Sequence, residues 1–279
     1  MKTNLVMQWM ESFEKKLRDE EKSPVTIEKY VRDVKAFLEY AGKSDINKEL
    51  VIAYKRKLIE KNYAIASINS MLASVNHFLK HLEWQDYCVK GIRTQKQIYC
   101  AEEKELSKEE YKRLLDAANE KPRLRLLLQT ICSTGIRVSE VEFFTVEAVR
   151  EGEVRVSCKN KNRIVLIPGK LKKLLLKYAK ENKICSGVIF RTKKGNALNR
   201  SNIWAEMKSL CEKAKVNPSK VYPHNLRKLF ARIFYKFNRD IAKLADILGH
   251  TSINTTRIYI ISTGAEHRRK IEQLGLVIP

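Results

Sequence analysis

Residues 224–234 read HNLRKLFARIF, and residues 248–259 read LGHTSINTTRIY. Together they hold two of the five histidines of the chain, His224 and His250, along with Arg227 and Tyr259. Residues three apart share a face of a helix, so a helical first stretch makes His224 and Arg227 neighbours. Each residue taken alone fits a structural role, such as a helix cap or a core aromatic. The set as a whole predicts a cationic site beside a tyrosine.

The charge of the chain is strongly positive. It has 55 lysines and arginines against 32 aspartates and glutamates, a net charge of +23, and a pI near 9.7. Such a charge predicts a polyanionic partner, and nucleic acid is favoured over a membrane surface or a merely solvated face. The length of 279 residues and the hydrophobic fraction of 44% are typical of a globular chain with about two domains.

Several other classes of protein are disfavoured by the sequence. No uninterrupted apolar run approaches the roughly 18–20 residues that cross a bilayer, and the N-terminus becomes charged too early for a secretory signal. The six cysteines include no C-x-x-C pair, so we expect reduced thiols in the cytoplasm rather than disulfides or a zinc site. His77 and His81 stand four apart without a further ligand at a suitable spacing, so we expect no metal.

The first part of the chain predicts four short helices. Apolar residues recur at helical spacing in each of them. Ser23, which precedes a proline, is suited to begin the second helix, Asn47 the third and Ser67 the fourth, while Gly42 is suited to end the second. Residues 1–92 are therefore predicted to form a small all-helical domain.

Helical periodicity is lost over residues 93–105, which we interpret as a linker. Ser107 and Glu110 then form a capping-box pattern that begins a second domain, residues 106–279. The segments EVRVSC and RIVLIP, on either side of KNKN (159–162), predict a β-hairpin. Helices are predicted at 108–118, 122–134 (ended by a glycine), 170–181, 202–214, 224–237, 239–248 and 265–274.

A phosphodiester can be cleaved without a metal when three kinds of group converge on it. Fixed guanidinium groups stabilise charge on the non-bridging oxygens, a nucleophile attacks phosphorus, and an acid protonates the departing oxygen. The chain offers candidates in separate blocks: Arg137, Lys159, His224, Arg227, His250 and Tyr259.

Five motifs carry a resemblance to a known family. They are, in order, TGIRVSEV (134–141), VSCKNKNRIVLIP (156–168), HNLR (224–227), LGH (248–250) and TTRIY (255–259). They resemble the successive sequence boxes of the tyrosine recombinase, or phage integrase, family, at its approximate intervals. The segments SPVTIEKYVRDVKAFLEY and SINSMLASVNHFLKHL are similar to the core-binding domain of that family. The resemblance therefore covers nearly the whole chain.

The resemblance implies a mainly α fold, with a four-helix SAM-like core-binding domain and a mixed, mostly helical catalytic domain that holds a small antiparallel β-sheet. It implies a compact Xer-like enzyme, without an arm-binding domain, that exchanges DNA strands through a covalent 3′-phosphotyrosyl intermediate. No cofactor, metal or ATP is implied. The implied partners are double-stranded DNA with paired inverted half-sites and further copies of the chain, which is a monomer when free and a dimer or tetramer on DNA. Residues 264–279 are implied to form a tail that docks on a neighbouring protomer.

The same resemblance implies roles for individual residues. Tyr259 matches the nucleophile, and Arg137 and Arg227 match the two arginines that hold the phosphate. His224 matches the histidine that assists proton transfer at the tyrosine. His250 matches a second histidine, which hydrogen-bonds the phosphate.

Two further matches concern an acidic residue and the hairpin. Glu140 matches a carboxylate that supports the site, and Lys159 matches the lysine that protonates the leaving oxygen. The family hairpin usually reads Gly-Lys-Gly, whereas this one reads CKNKNR and is one residue shorter. Lys161 is therefore an alternative acid, although Lys159 is favoured.

Two other functions compete with recombination. One is DNA relaxation of the type IB topoisomerase kind, which the short chain and the core-binding domain disfavour. The other is a non-catalytic DNA-binding protein on the same fold, although every matched position holds a reactive residue type. Serine recombination is disfavoured because Ser133 and Ser139 lie in a structural turn and its helix. The sequence does not distinguish integration or excision of a mobile element from inversion or dimer resolution, and no membrane or small-molecule substrate is expected.

Overall fold

The computed structural model describes residues 2–94, 102–158, 161–192, 194–260, 268–269, 271–274 and 276. Contacts within the chain divide it into two units, Met1–Lys96 and Gln97–Pro279. Most of the described residues are helical, and their one sheet has two antiparallel strands. The prediction of a mainly α fold with a small antiparallel sheet is confirmed. The limits proposed for the linker, 93–105, stay a prediction, because residues 95–101 lie outside the described ranges.

The first unit contains four helices. They are α1 (Lys2–Asp19), α2 (Pro24–Ala41), α3 (Lys48–Glu60) and α4 (Ile65–His81). The side chains of Ser23 and Asn47 accept hydrogen bonds from backbone amides of the first turns of α2 and α3, as their sequence positions predict. The prediction that Ser67 begins the fourth helix is wrong. Its amide already donates to the Ala64 carbonyl, so Ser67 lies within the first turn of α4.

Among the described residues of this first unit, most buried side chains are apolar, and one carboxylate is buried with them. Phe13, Phe37 and Phe78 are fully buried among aliphatic side chains of the four helices. Asp33 is also buried, where it accepts a hydrogen bond from Ser74 and pairs with Lys29 at 3.0 Å. A buried carboxylate needs such partners, because an unpaired charge away from water is strongly destabilising.

The described residues of the second unit include nine further α-helices with defined bounds and the hairpin. The helices are α5 (Lys108–Ala117), α6 (Pro122–Thr134), α7 (Val146–Glu151), α8 (Gly169–Glu181), α9 (Arg200–Lys208), α10 (Cys211–Ala214), α11 (Pro223–Asn238), α12 (Ile241–Leu248) and α13 (Ile253–Arg257). Short 3-10 helices occupy Glu102–Lys104, Val138–Phe143 and Pro218–Lys220, and the first unit has one at Gln85–Tyr87. The capping box of Ser107 and Glu110 is present, with both reciprocal hydrogen bonds formed.

Strands β1 (Glu153–Cys158) and β2 (Lys161–Leu166) form the predicted hairpin. Their register pairs Val154 with Val165 and Val156 with Arg163. The three valines are buried in the core of the second unit, which α6, α8 and α11 also enclose. The hairpin is therefore fixed to the core along one face.

Two helix predictions need correction. The segment 202–214 forms two helices, because the Leu210 amide bonds to a carbonyl three residues back instead of four. The last long helix begins at Ile241 and not at 239, since Arg239 takes a left-handed conformation and Asp240 caps the helix. Within the helix predicted at 265–274, residues 265–267 and 270 lie outside the described residues, and residues 268, 269, 271 and 272 are helical. Helices α7 and α13 and the 3-10 helix Val138–Phe143 were not predicted.

Among the parts of the chain that the structure describes, no helix combines the length and the apolar character that crossing a membrane requires.

Candidate active site

The site begins where α6 ends. Gly135 adopts a left-handed conformation (φ +64°) and terminates the helix, which turns the chain so that Arg137 precedes the 3-10 helix Val138–Phe143. The carboxylate of Glu140 accepts a hydrogen bond from the Arg137 amide at 2.8 Å and a second from its guanidinium at 2.9 Å. Glu140 thus holds both the main chain and the guanidinium of Arg137, yet 42% of the side-chain surface is exposed. It is therefore positioned and also accessible.

The N-terminus of α11 supplies the next two groups. Pro223 lies in the first turn, where a missing amide costs no helical hydrogen bond. His224 follows, and Arg227 stands one turn later on the same face. Arg227 is the largest fully buried side chain, with 1% of its surface exposed. Burial, and then the charge of Arg137, lower its pKa to about 10, so it remains charged at neutral pH.

The C-terminus of α12 binds three arginines. Three consecutive main-chain carbonyls each accept a hydrogen bond from a different guanidinium. The pairs are Ile247 with Arg163, Leu248 with Arg227 at 2.6 Å, and Gly249 with Arg137 at 3.1 Å. The C-terminal end of a helix carries partial negative charge, so it favours cations at these positions. The arrangement places three positive groups around one helix end.

Glu140 is the carboxylate that two of these arginines share. It is 1% exposed and bonds to both Arg137 and Arg163. Burial acts to raise its pKa, but the Arg137 amide and the charges of Arg163 and Arg137 outweigh that effect, so its pKa is lowered. One ionised carboxylate beside three guanidinium groups leaves the site with an excess of positive charge.

His250 follows Gly249, the residue that caps the C-terminal end of α12, and both of its ring nitrogens are hydrogen-bonded. Its Nε2 lies 3.0 Å from the Arg227 guanidinium, and its Nδ1 lies 2.8 Å from the Thr256 hydroxyl. Since an arginine can only donate, Nε2 accepts and Nδ1 carries the hydrogen. Burial lowers the pKa of His250 to about 4, and the charges of Arg227 and Arg137 act in the same direction. His250 is therefore neutral at pH 7.

Tyr259 lies between two histidines. Helix α13 ends at Arg257, and the Tyr259 amide donates to the Thr256 carbonyl in the turn that follows. Its ring centroid is 5.1 Å from that of His224 and 5.1 Å from that of His250. The residue is 7% exposed and packs in an apolar cluster from α11 and α12.

His224 is the second neutral imidazole of the site. Burial lowers its pKa, and the charges of Lys228, Arg227, Arg137 and Arg200 act in the same direction. A neutral imidazole can accept a proton, which a protonated one cannot.

An open cleft of about 650 Å³ adjoins these groups. Arg137, His224 and Arg227 line one part of it, and Arg200, Trp204 and Tyr222 line another. The Trp204 side chain is half exposed, and Lys208 lies over its ring. The cleft therefore combines cations with aromatic surface. Among the described residues no group of three or more histidine, cysteine or carboxylate side chains could hold a metal ion.

The structure brings together six of the residues singled out in the sequence: Arg137, Glu140, His224, Arg227, His250 and Tyr259. Lys159 lies outside the described residues, and Lys161 is described only as the first residue of β2. The choice between these two lysines stays a prediction.

Sequence reasoning missed Arg163. It occupies β2 two residues before the buried Val165, and alternation along a strand places both on one face. An arginine on the buried face of a strand is the signal that could have identified it.

Comparison with known proteins agrees with this fold. The profile of the phage integrase family matches residues 104–266, and that of the phage integrase N-terminal SAM-like domain matches residues 10–86. Tyrosine recombinase XerA of Pyrococcus furiosus is 30% identical over 96% of this chain and 94% of its own length. A crystal structure of XerA recombinase covers 98% of this chain and all of its own, with 25% identity and a TM-score of 0.55.

A crystal structure of a lambda integrase tetramer bound to a Holliday junction shares the fold. It has 19% identity and a TM-score of 0.73, and the match covers 91% of this chain and 76% of that one. The fold and the two profile matches thus place the chain among the tyrosine recombinases as a class. The chain belongs to the phage integrase family. The predicted SAM-like N-terminal domain is confirmed.

Proposed function

We propose that this protein is a site-specific recombinase that cuts and rejoins double-stranded DNA through a 3′-phosphotyrosyl intermediate, with Tyr259 as the nucleophile. The observation that carries the assignment is the position of the Tyr259 ring between His224 and His250, beside the arginines at the end of α12. The similar proteins named above, tyrosine recombinase XerA and lambda integrase, belong by name to the same class of enzyme. Binding without cleavage would leave this convergence of groups without a use. Relaxation of the type IB topoisomerase kind would use the same groups, but the core-binding domain disfavours it.

The cleavage step exchanges one ester bond for another. The Tyr259 oxygen attacks phosphorus, a new oxygen–phosphorus bond forms, and the bond to the 5′-oxygen breaks. His224, which is neutral at pH 7, accepts the phenolic proton, and the hairpin lysine gives a proton to the departing 5′-oxygen. The product is still a phosphodiester, so the reverse attack by a 5′-hydroxyl rejoins the strand without ATP.

The arginines stabilise the charge that develops on the non-bridging oxygens. Arg137 and Arg227 are already oriented by backbone carbonyls, so they need little reorganisation when the phosphate arrives. Thr256 holds the Nδ1 side of His250, and its Nε2 accepts from Arg227, so donation to a phosphate oxygen would require Nε2 to leave that bond and carry a hydrogen. We assign these three residues to phosphate binding and Glu140 to their support.

The substrate we propose is duplex DNA with two inverted half-sites, on which two or four copies of the chain assemble. The net charge of +23 supports a large phosphate-bearing partner, and the exposed lysines of the chain can neutralise backbone phosphates. Action on DNA of a mobile element or a chromosome places the protein in the cytoplasm, at the nucleoid when bound. We further propose that residues 264–279 form the segment that couples neighbouring protomers.

The decisive experiment is covalent capture. A duplex site is recovered by binding selection, nicked near the cleavage position, and incubated with the full-length protein. Wild type should form a denaturation-resistant adduct, and Tyr259→Phe should bind equally well and form none. Tyr235→Phe is the matched control, because Tyr235 packs against the same apolar cluster, and it should form the adduct.

The outcomes separate the candidate functions. An adduct with Tyr259→Phe would show that the nucleophile is another residue. An adduct without exchange between two duplexes, together with relaxation of supercoiled plasmid, would favour the topoisomerase-like function. Specific binding with no adduct for any form of the protein would favour a non-catalytic DNA-binding protein.

A second experiment identifies the acid. We propose Lys159, with Lys161 as the alternative. Lys159→Ala should slow cleavage of an ordinary phosphodiester severely. With sulfur in place of the leaving 5′-oxygen no proton donor is needed, so most of the defect should vanish. Rescue of Lys161→Ala in its place would assign the acid to Lys161.

A further inference from the structure

Arg163 is a buried cation with no role in the cleavage step described above. It lies in β2, and its side chain is 13% exposed. Its guanidinium bonds to the Glu140 carboxylate and to the Ile247 carbonyl, which belong to two different elements. One side chain of the hairpin thus joins the 3-10 helix after Arg137 to the C-terminal end of α12.

The fit of Arg163 against the α12 turn is close. Gly249 has a left-handed conformation (φ +62°), and a Cβ built on it would lie 2.5 Å from Cδ and 3.0 Å from Nε of Arg163. Carbon atoms in ordinary contact are about 3.5–4.0 Å apart, so no side chain larger than hydrogen fits here without moving the arginine. The arginine stem therefore packs directly on the main chain next to His250.

Both partners of Arg163 are in turn partners of groups assigned to the phosphate. Glu140 orients Arg137 through its amide and its guanidinium. The turn that begins at Ile247 carries the Gly249 carbonyl, which also binds Arg137, and leads into His250. Removing Arg163 loosens both supports of Arg137 at once.

We propose that Arg163 is a positioning residue for cleavage, which holds Glu140 and the 247–250 turn so that Arg137 and His250 meet the scissile phosphate in a fixed geometry. The inference rests on the proposed function and extends it to a residue that does not touch DNA. Because Arg163 comes from the hairpin, it also ties the strand next to Lys159 to the same cluster.

A role in stability alone makes a different prediction. Removing one partner of a buried ion pair is strongly destabilising when the other charge is left unpaired, but in Arg163→Met the Glu140 carboxylate keeps its bonds to the amide and the guanidinium of Arg137. Arg163→Met should therefore keep the fold while it releases Glu140 and the turn. Activity and stability should separate in this variant.

The test measures single-turnover cleavage of the nicked substrate at saturating full-length protein, together with affinity for a half-site and thermal unfolding. Arg163→Met should bind within about threefold of wild type but cleave about 100-fold more slowly, the order of loss that a misplacement of about 1 Å produces. Arg163→Lys keeps the charge but loses the forked guanidinium, so it should cleave at a rate between those of wild type and Arg163→Met. Arg155→Met is the matched control, since Arg155 lies on the same hairpin with its side chain 79% exposed, and it should cleave like wild type at saturation.

A neutral substrate separates positioning from general damage. With a methylphosphonate at the scissile position, less charge develops that the arginines must stabilise. If Arg163 acts through Arg137, the cleavage defect of both Arg163 variants should shrink on this substrate, toward the rate of wild type on the same DNA. If Arg163→Met does not fold, the charged and the neutral substrate are compared with Arg163→Lys alone.

Two results would overturn the inference. One is cleavage of the ordinary substrate at the wild-type rate by Arg163→Met or Arg163→Lys. The other is an equal defect on the charged and the neutral substrate. A failure of the proposed function is distinguishable from both, because wild type and Arg155→Met would then form no adduct either.

Discussion

Replacement of Gly135 by alanine tests how tightly the site is packed. Gly135 has φ +64°, and an alanine in that left-handed region loses about 1 kcal/mol of stability. Its Cβ would lie 2.4 Å from Cδ1 of Phe230 and 3.0 Å from Cδ2 of Leu248. The Phe230 ring must therefore retreat by about 1 Å to regain ordinary contact, and such overpacking costs about 1–3 kcal/mol. We expect a total loss of about 3 kcal/mol from the two effects combined.

Gly195→Ala is the control. It lies in the same unit with φ +87°, but no atom stands within 4 Å of its added Cβ, so only the backbone cost of about 1 kcal/mol applies. Native-state hydrogen exchange of peptides from α6 and α11 gives the free energy of unfolding of this unit within the full chain. A double-mutant cycle with Phe230→Ala should remove most of the extra cost, because the ring that clashes is gone.

Phe230 also packs in the cluster that holds Tyr259, so Gly135→Ala should slow formation of the covalent adduct as well. The reasoning is refuted if Gly135→Ala costs no more stability than Gly195→Ala. It is also refuted if the added cost persists unchanged in the Phe230→Ala background.

Three further predictions follow from the capping, titration and tail of the molecule. Ser107→Ala removes one half of the capping box and should lower stability by about 1 kcal/mol, measured by exchange of α5 amides; unchanged exchange would contradict it. The pKa of His250 is about 4 in the fold against 6.5 ordinarily, so between these values the unfolded chain binds a proton that the folded chain does not. Stability should therefore fall as pH drops from about 6.5 to 4. His250→Gln removes this titration, so its free energy of unfolding should change less over that pH range than that of wild type; an equal change in both proteins would contradict the prediction. Deletion of residues 266–279 should leave half-site binding nearly intact and abolish cooperative binding and tetramer formation in gel shift and sedimentation, whereas normal tetramers would show that coupling lies elsewhere.

Local sequence signals predicted the helices well where capping and periodicity agreed. Ser23, Asn47 and the Ser107 capping box begin their helices as expected, because each forms a bond within its own first turn. Ser67 was a misleading signal, because α4 begins at Ile65, two residues before it, and no side chain caps that end of the helix. The break between α9 and α10 has no glycine or proline to announce it and is visible only in the hydrogen-bond pattern.

The residues of the site also differ in whether local sequence signals could place them. His224 and Arg227, like Arg137 and Glu140, are three residues apart, and a local spacing is enough to place such pairs together. Arg163 has partners 23 and 84 residues away, one of them a main-chain carbonyl, and no local pattern encodes such contacts. The sequence around it predicted only a β-hairpin. The burial of Arg227 was likewise beyond prediction, because it depends on how α6 and α12 pack around α11.

The three arginines at the end of α12 determine which kinds of mutation this segment tolerates. Their acceptors are main-chain carbonyls, so exchanging the side chain of Ile247 or Leu248 for another removes none of them. A shift in chain length has the opposite effect. Successive residues of an α-helix point about 100° apart, so inserting or deleting one residue before His250 would turn all three carbonyls away from their arginines together. Apart from buried positions such as Leu248 and the closely packed Gly249, the segment should accept substitutions but no insertion or deletion, and libraries that vary this protein should keep its length fixed.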